Sequence, residues 1–501
     1  MRLVHYERVL AAIVVATAVL DAALIGTRAR AAEPDGPNLA LAMQSLLVEA
    51  IARSEKSVVA VARVRKPERE ATAGAPGGPL PSPFLPQFMS ESSPTSEDFV
   101  PNGFGAGVAI DSGLILTSYH VIGDVDKSEY YVWGQHRPFR ARVISTDPWF
   151  DLAVLRVDGS QFAPIRFGDA KQLRKGQIVI ALGNPYAIAK DGEVSASWGI
   201  ISNLLRRAPR IPERSNDSMG RETLHQYGTL IQTDARLNFG YSGGALVNLQ
   251  GEMVGLTTSY AAAAQYDAAA GFAIPVDEHF LRTVEIMKTG GRPAFGFLGV
   301  GSEPLAETLR RKGIFGARVV RLIEGTPAAR AGLRTDDVIT HVNQQPIYDD
   351  DDLFRLIGSL SPGMPATLRV ARGDLEGKTF DIMEKTVIVS KKWTNTLRPQ
   401  IGTAPVKEWR GMQVDYSTAA PSFNQLGPQL DSGGCVYVTD VTGESPAWKA
   451  GLRPGVYISH VEHKPVTTPD EFYSAVAGAQ GGVDLLVTAG RKRGTRHTVS
   501  P

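Results

Sequence analysis

A single cysteine, Cys435, occurs in the 501 residues of the chain. No intramolecular disulfide can form and no cysteine-based metal site is available, so the domains must be held together by their cores. A charge excess is also missing: 53 Lys and Arg stand against 52 Asp and Glu, a formal net charge of +1. That balance supplies no global field for nucleic acid or an anionic surface. With 43% hydrophobic and 21% charged residues, the chain as a whole is not disordered. Long apolar runs are scarce, and the one present lies at the N-terminus. It extends from Val9 to Gly26, is broken only by Thr17 and Asp21, and follows Arg2 and Arg8. With Ala29-Arg30-Ala31 behind it, residues 1–31 read as a signal peptide removed on export. The run is nearly long enough to span a bilayer, so a retained membrane anchor is the alternative.

What is present suggests several domains, since the length exceeds what one core spans. Residues 32–56 place Leu39, Met43, Leu46, Leu47, Ala50 and Ile51 at helical spacing, and the following "SVVAVARV" is β-like. Residues 66–101 are rich in Pro, Gly and Ser without periodicity, which predicts a flexible loop. From Gly103 to Asp277 short β-like runs recur between turn residues ("GAGVAI", "GLILTSYHVI", "DLAVLRV", "QIVIALG", "GEMVGLTTS"), the pattern of an all-β barrel or sandwich. The charged stretch Leu204 to Tyr227 is expected on the surface. Further on, "TPAARAGLRTDDVITHV" aligns with "SPAWKAGLRPGVYISHV". Gly332 and Gly451, like Pro346 and Pro465, are 119 residues apart, so one small domain occurs twice.

The stretch "GYSGGALVN" sets Ser242 between glycines, either as a nucleophile or as the polar tip of a turn. A serine nucleophile needs a base, an acid that orients the base, and N–H donors for an oxyanion. His120 follows the apolar run "GLILTSY", at the end of a strand, whereas His136 and His225 lie in polar, loop-like sequence. Asp151 opens "DLAVLRV"; a carboxylate there is partly buried and needs a donor, which the ring of His120 can provide. Asp147, before Pro148, reads as a turn residue, and Asp234 is a further competitor. The order His120, Asp151, Ser242 is that of chymotrypsin-type proteases.

With "LTSYHVI", "DLAVLRV", "ALGNPYAI", "SWGIIS", "IQTDA", "GYSGGALVN", "GFAIP" and "AGLR", the chain from about Ser57 onward resembles the HtrA (Deg) family of trypsin-like serine proteases. The resemblance implies a mainly β molecule: a chymotrypsin-like double β-barrel over 57–288, then two small α+β PDZ domains over 292–390 and 400–501. It also implies an exported, ATP-independent serine endopeptidase that cleaves unfolded or misfolded polypeptides and needs no cofactor. His120 would be the general base, Asp151 its orienting acid and Ser242 the nucleophile, with the N–H groups of Gly240 and Ser242 as the oxyanion hole. Trimers or larger homo-oligomers are implied as well. The sequence departs from the family pattern at Phe239 and at Tyr241, where Asn commonly precedes the serine. These aromatics bear on the oxyanion loop and on the alternative of a weakly active or inactive PDZ scaffold. Arg236, six residues before Ser242, corresponds to the floor of the specificity pocket. It either narrows and charges that pocket or points to solvent.

PDZ domains capture a chain's C-terminal carboxylate on backbone N–H groups of an x-Φ-G-Φ loop. Phe297, Leu298, Gly299 and Val300 match this pattern in the first repeat, which predicts binding of C-terminal peptides. In the second, "EWRGMQVDY" puts Arg410 at the apolar position, a poorer match.

Overall fold

The structure, a computed structural model, describes residues 36–66, 99, 101–159, 162–184, 193–208, 223–258, 270–374, 379–394, 399–421, 423, 433–489 and 492–501. The expected signal or anchor, nearly all of the Pro-rich loop and the middle of the Leu204–Tyr227 stretch lie outside the described residues. Among those described, no helix is long and apolar enough to cross a membrane. Gly36–Ser54 is helical, and Leu39, Leu41, Leu46 and Val48 along it are exposed.

Six strands, β1 (Val58–Arg65), β2 (Gly103–Asp111), β3 (Leu114–Ser118), β4 (Ser128–Gly134), β5 (Arg137–Asp147) and β6 (Leu152–Val157), close into a barrel in the order β1-β2-β3-β6-β5-β4. Along β1, Val59 and Val61 join the main cluster of this barrel while Ala60 and Ala62 pack with Phe99 and Trp133. Burial on both faces explains why this strand reads as an unbroken apolar run.

A second barrel follows from β7 (Ile178–Gly183), β8 (Ser195–Arg206), β9 (Leu230–Thr233), β10 (Ala245–Val247), β11 (Met253–Thr258) and β12 (Gly271–Pro275), in the order β10-β11-β12-β9-β8-β7. Val179, Ala181, Ile201, Ile231, Leu246 and Val254 fill it. Closure leaves neither sheet an unpaired edge. Helix Glu278–Lys288 comes next; the Asp277 side chain caps it by accepting from Phe280 N at 2.8 Å, and Phe280, Val284 and Met287 form its buried stripe.

The two repeats share one topology. In the first, strands Val300–Pro304, Ala317–Leu322, Val338–Val342, Pro365–Asp374 and Thr379–Ile388 lie side by side in sequence order. Strands Met412–Tyr416, Val436–Val441, Tyr457–Val461, Val483–Ala489 and Lys492–Val499 do the same in the second. Even the irregularities correspond: register shifts occur at Gly301/Ser302 and Gln413/Val414, and at Ile339/His341 and Ile458/His460. Each repeat has its own apolar core. The segment between them is strapped to the end of β5, where Thr146 N donates to Ile401 O at 3.0 Å and Thr403 N to Ile144 O at 3.1 Å.

Candidate active site

Strand β3 ends at Ser118, and the short helix Tyr119–Ile122 carries His120 onto the surface of the first barrel. Across from it Asp151, 3% exposed, begins the return into β6 in a left-handed conformation with φ of 55°. Three donors hold that residue. His120 Nδ1 lies 2.8 Å from Oδ2, His120 N donates to Oδ1 at 3.1 Å, and Tyr119 N donates to the Asp151 carbonyl at 3.0 Å. Burial alone would raise the Asp151 carboxyl, but the charge and hydrogen bonds of His120 hold it below the usual carboxylate range. An ionised carboxylate only accepts, so the ring proton sits on Nδ1 and Nε2 is left as the basic nitrogen.

The connection from β5 to β6 has its own supports. Asp147, expected as a turn residue, does shape the turn: its Oδ1 accepts from Trp149 N at 3.0 Å and Phe150 N at 3.2 Å. It is fully buried, which pushes its pKa up to about 7. His225 corrects the expectation of a polar surface stretch. It is 0% exposed and stacks on Phe150 with ring centroids 5.3 Å apart. Its Nε2 lies 3.0 Å from Phe150 O and its Nδ1 2.7 Å from Thr229 Oγ1. Burial lowers its pKa, so the ring is neutral; the carbonyl can only accept, which places the proton on Nε2. Leu224 beside it is also buried. The apolar contacts of this segment come from distant partners, which its polar sequence does not reveal. Asp234 lies elsewhere, accepting from Ile200 N at 2.6 Å.

Ser242, 5% exposed, is tied to both barrels. Its carbonyl accepts from Ala106 N of β2 at 2.8 Å, while its neighbour Gly243 N donates to Thr257 O of β11 at 2.8 Å. Upstream, Tyr241 N donates to Asn238 O at 3.2 Å, closing a turn in which Gly240 has φ of 98°. Phe239 is not among the positive-φ residues, so the turn is type II, which needs glycine at its third position. Gly240 O accepts from Asn184 N at 3.3 Å. The two aromatics differ in role. Phe239 is 51% exposed, whereas Tyr241 is 4% exposed within the core of the second barrel. Arg236 takes the outward alternative: it is exposed between buried Ala235 and Leu237.

In the first repeat Leu298 is buried, Gly299 has φ of 93°, and a Cβ at Gly299 would lie 2.1 Å from Thr326 Oγ1. Leu298 O accepts from Ala328 N at 2.9 Å and Gly299 O from Ile323 N at 3.0 Å. In a trans peptide N–H and C=O point opposite ways, so the N–H groups of Gly299 and Val300 face away from the domain body. They border a cavity of about 30 Å³ lined by Trp149, Tyr227, Leu298, Leu353, Ile357 and Lys392, among others.

The corresponding groove of the second repeat is filled by its own side chains. Tyr473 Oη donates to Lys407 O at 2.6 Å and accepts from Val414 N at 3.2 Å, on the edge strand that a peptide would join. Arg410 donates to the carbonyls of Ala479 at 2.9 Å, Gly481 at 2.7 Å and Val499.

Comparison with known proteins agrees with this architecture. Residues 105–256 match a trypsin-like peptidase domain and residues 296–383 a PDZ domain. The probable periplasmic serine endoprotease DegP-like of Pseudomonas fluorescens is 30% identical over 449 residues, which cover 84% of this chain and 86% of that protein. The chain belongs to the HtrA (Deg) family. The protein so named in Chlamydia trachomatis is 29% identical over 415 residues, 81% of this chain and 76% of its own. Among solved structures, the HtrA-type protease AlgW with decapeptide is 25% identical at a TM-score of 0.48, covering 70% of this chain and 99% of that one. This HtrA protein is a serine-type endopeptidase with a mainly β, double-barrel protease fold. Sequence reasoning did not single out Trp149, Tyr473 or Lys392, because each takes its role from a partner remote in sequence.

Proposed function

We propose that this HtrA protease hydrolyses peptide bonds through an acyl-enzyme, with His120 as general base, Asp151 as its orienting acid and Ser242 as nucleophile. The observation that carries the reading is the 2.8 Å contact between His120 Nδ1 and the buried Asp151 carboxylate. It leaves Nε2 to take the Ser242 proton as Oγ attacks the scissile carbonyl, and later to deliver that proton to the leaving amine. Water then attacks the ester with His120 again as base. The N–H groups of Gly240 and Ser242 hold the oxyanion, and no metal or organic cofactor enters any step. The type II turn supports this role by fixing the orientation of the Phe239–Gly240 peptide, and hence of the Gly240 N–H.

The substrates are unfolded or misfolded polypeptides in the cell envelope, and the relatives' description as periplasmic supports export. The domain division proposed is a protease over 57–288 and PDZ domains over 292–390 and 400–501. The first PDZ domain takes free C-termini through its outward N–H groups. The second, closed by Tyr473 and Arg410, serves packing: Phe423 meets Phe297 at 5.8 Å and Asp415 pairs with Lys391 at 2.5 Å. The working form is a homo-oligomer of three or more subunits, and retention of residues 9–26 would make it membrane-anchored. Labelling by a fluorophosphonate, compared with Ser242→Ala, tests the central assignment. Equal labelling of the two proteins would reject it.

A further inference from the structure

Adjacent lysines at the end of the first repeat meet different fates. Lys391 pairs with Asp415 of the second repeat, whereas no carboxylate pairs with Lys392 among the described residues. Lys392 N donates to Phe295 O at 2.8 Å, which roots the residue beside the start of the carboxylate loop. From there its side chain lines the same small cavity as Leu298, Gly299 and Val300. Its ammonium rests 4.7 Å above the ring of Trp149. Burial disfavours its charge and lowers its pKa. Trp149 also lines this cavity; it is 8% exposed, and its buried Nε1 has no hydrogen-bond acceptor among the described residues. Buried donors are nearly always satisfied, so an unpaired indole N–H beside an ammonium that has a ring face but no carboxylate as partner marks a place suited to an acceptor that the described residues do not supply.

We propose that Lys392 and the indole N–H of Trp149 form an anion point, shared between protease and first PDZ domain, for the terminal carboxylate of the bound peptide. The inference rests on the reading of the Gly299 loop as a C-terminus receptor and adds a charged partner from outside that loop. The loop N–H groups supply dipoles; Lys392 supplies the opposite charge, and Trp149 ties recognition to the protease segment between Asp147 and Asp151. The site is incomplete in a PDZ domain cut at residue 390, which lacks both donors. The occupant is thus a polypeptide end with a free carboxylate, and the apolar lining with its volume of about 30 Å³ favours a small terminal side chain such as alanine.

Calorimetry on the full chain carrying Ser242→Ala, with one alanine-ending peptide as free acid and as amide, separates the two layers. The free acid should bind more tightly. Lys392→Met should weaken the acid about tenfold while leaving the amide unchanged, as expected for loss of one charge-assisted contact. Lys392→Arg should keep most of the discrimination, and Trp149→Phe should reduce it severalfold while retaining the ring. A full acid-to-amide preference in both Lys392→Met and Lys392→Gln overturns the anion point and leaves the loop reading standing. The absence of any preference in the parent protein rejects the loop reading and the anion point together.

Discussion

In the first barrel His120 and Asp151 are fixed by polar contacts that converge on one buried carboxylate, whereas in the second Ser242 is fixed by its backbone and by burial of its neighbour. Thr257 Oγ1 donates to Tyr241 O at 2.5 Å, and the Tyr241 ring lies in the barrel core. The first arrangement sets protonation as well as position; the second sets position alone. Changes at His120 or Asp151 should therefore register in rate and titration at nearly constant packing, whereas replacement of Tyr241, the buried neighbour of Ser242, should register in packing as well as rate.

The largest effect expected is that of Ser242→Ala, which removes the oxygen proposed to attack. Cleavage of casein should fall by about 10⁴-fold or more, with an unchanged thermal midpoint. Retained turnover would break the assignment of the nucleophile to the second barrel. Asp151→Asn should cost about as much, on the order of 10⁴-fold, for a reason specific to the first barrel. Asp151 Oδ1 receives the His120 backbone N–H, so the amide oxygen would keep that place and the NH₂ group would face Nδ1. Nδ1 would then have to accept, which moves the ring proton to Nε2 and removes the base. If Asp151→Asn retains a tenth of the parent rate, the carboxylate does not set the tautomer.

Tyr241→Asn sharpens the comparison from the other side. Removing a ring from the second barrel's core should destabilise the protein by about 3 to 5 kcal/mol, read as a lower unfolding midpoint. It should also slow cleavage by up to about 10²- to 10³-fold as the adjoining Gly240 turn loosens, the range for loss of one oxyanion donor. Faster basal cleavage in this variant would instead mean that the tyrosine restrains the loop in an unproductive form.

The barrels and the repeat were legible in the sequence because short apolar runs between turn residues and a constant offset are local or periodic signals. His120 and Asp151 were legible for a similar reason, since each stands at the edge of an apolar run. Tyr241 stands out in the sequence as an aromatic able to act on the oxyanion loop, but the depth of its burial depends on β7 and β8 folding around it: Gly183 abuts the ring, and Ser195 O accepts its hydroxyl at 3.4 Å. The second repeat shows both outcomes. Arg410 already signalled an altered groove, but Tyr473 aligns with Phe354 and looks like a conservative exchange; the one added oxygen closes on Val414 N. His225 was assigned to the surface because its burial depends on Phe150, which lies 75 residues upstream.

The smallest effect comes from Asp147→Asn and concerns pH rather than catalysis. Asp147 titrates near 7 in the folded protein and near 3.8 when free, so the fold holds its proton to higher pH than the unfolded chain does. Stability must then fall as pH rises from about 4 to about 7, and stay lowered above that. An asparagine side chain in its place would keep an oxygen for Trp149 N and Phe150 N without the charge that burial opposes. Its amide hydrogens also need partners, so the informative quantity is the slope with pH rather than the absolute stability. Relative to the parent, Asp147→Asn should gain about 1 to 4 kcal/mol between pH 4 and pH 8, measured by urea unfolding. Asp151 cannot mimic this, because its lowered pKa makes its stabilisation present above the unfolded carboxylate range and lost only as pH falls through it. The buried His279, held near 3, loses stability as pH falls below the ordinary histidine range, but equally in both proteins, so it cancels in the difference. Parallel pH profiles for parent and variant would show that Asp147 is ionised in the fold at little cost. The β5–β6 connection would then rest on two neighbouring carboxylates, rather than on one charged and one neutral group.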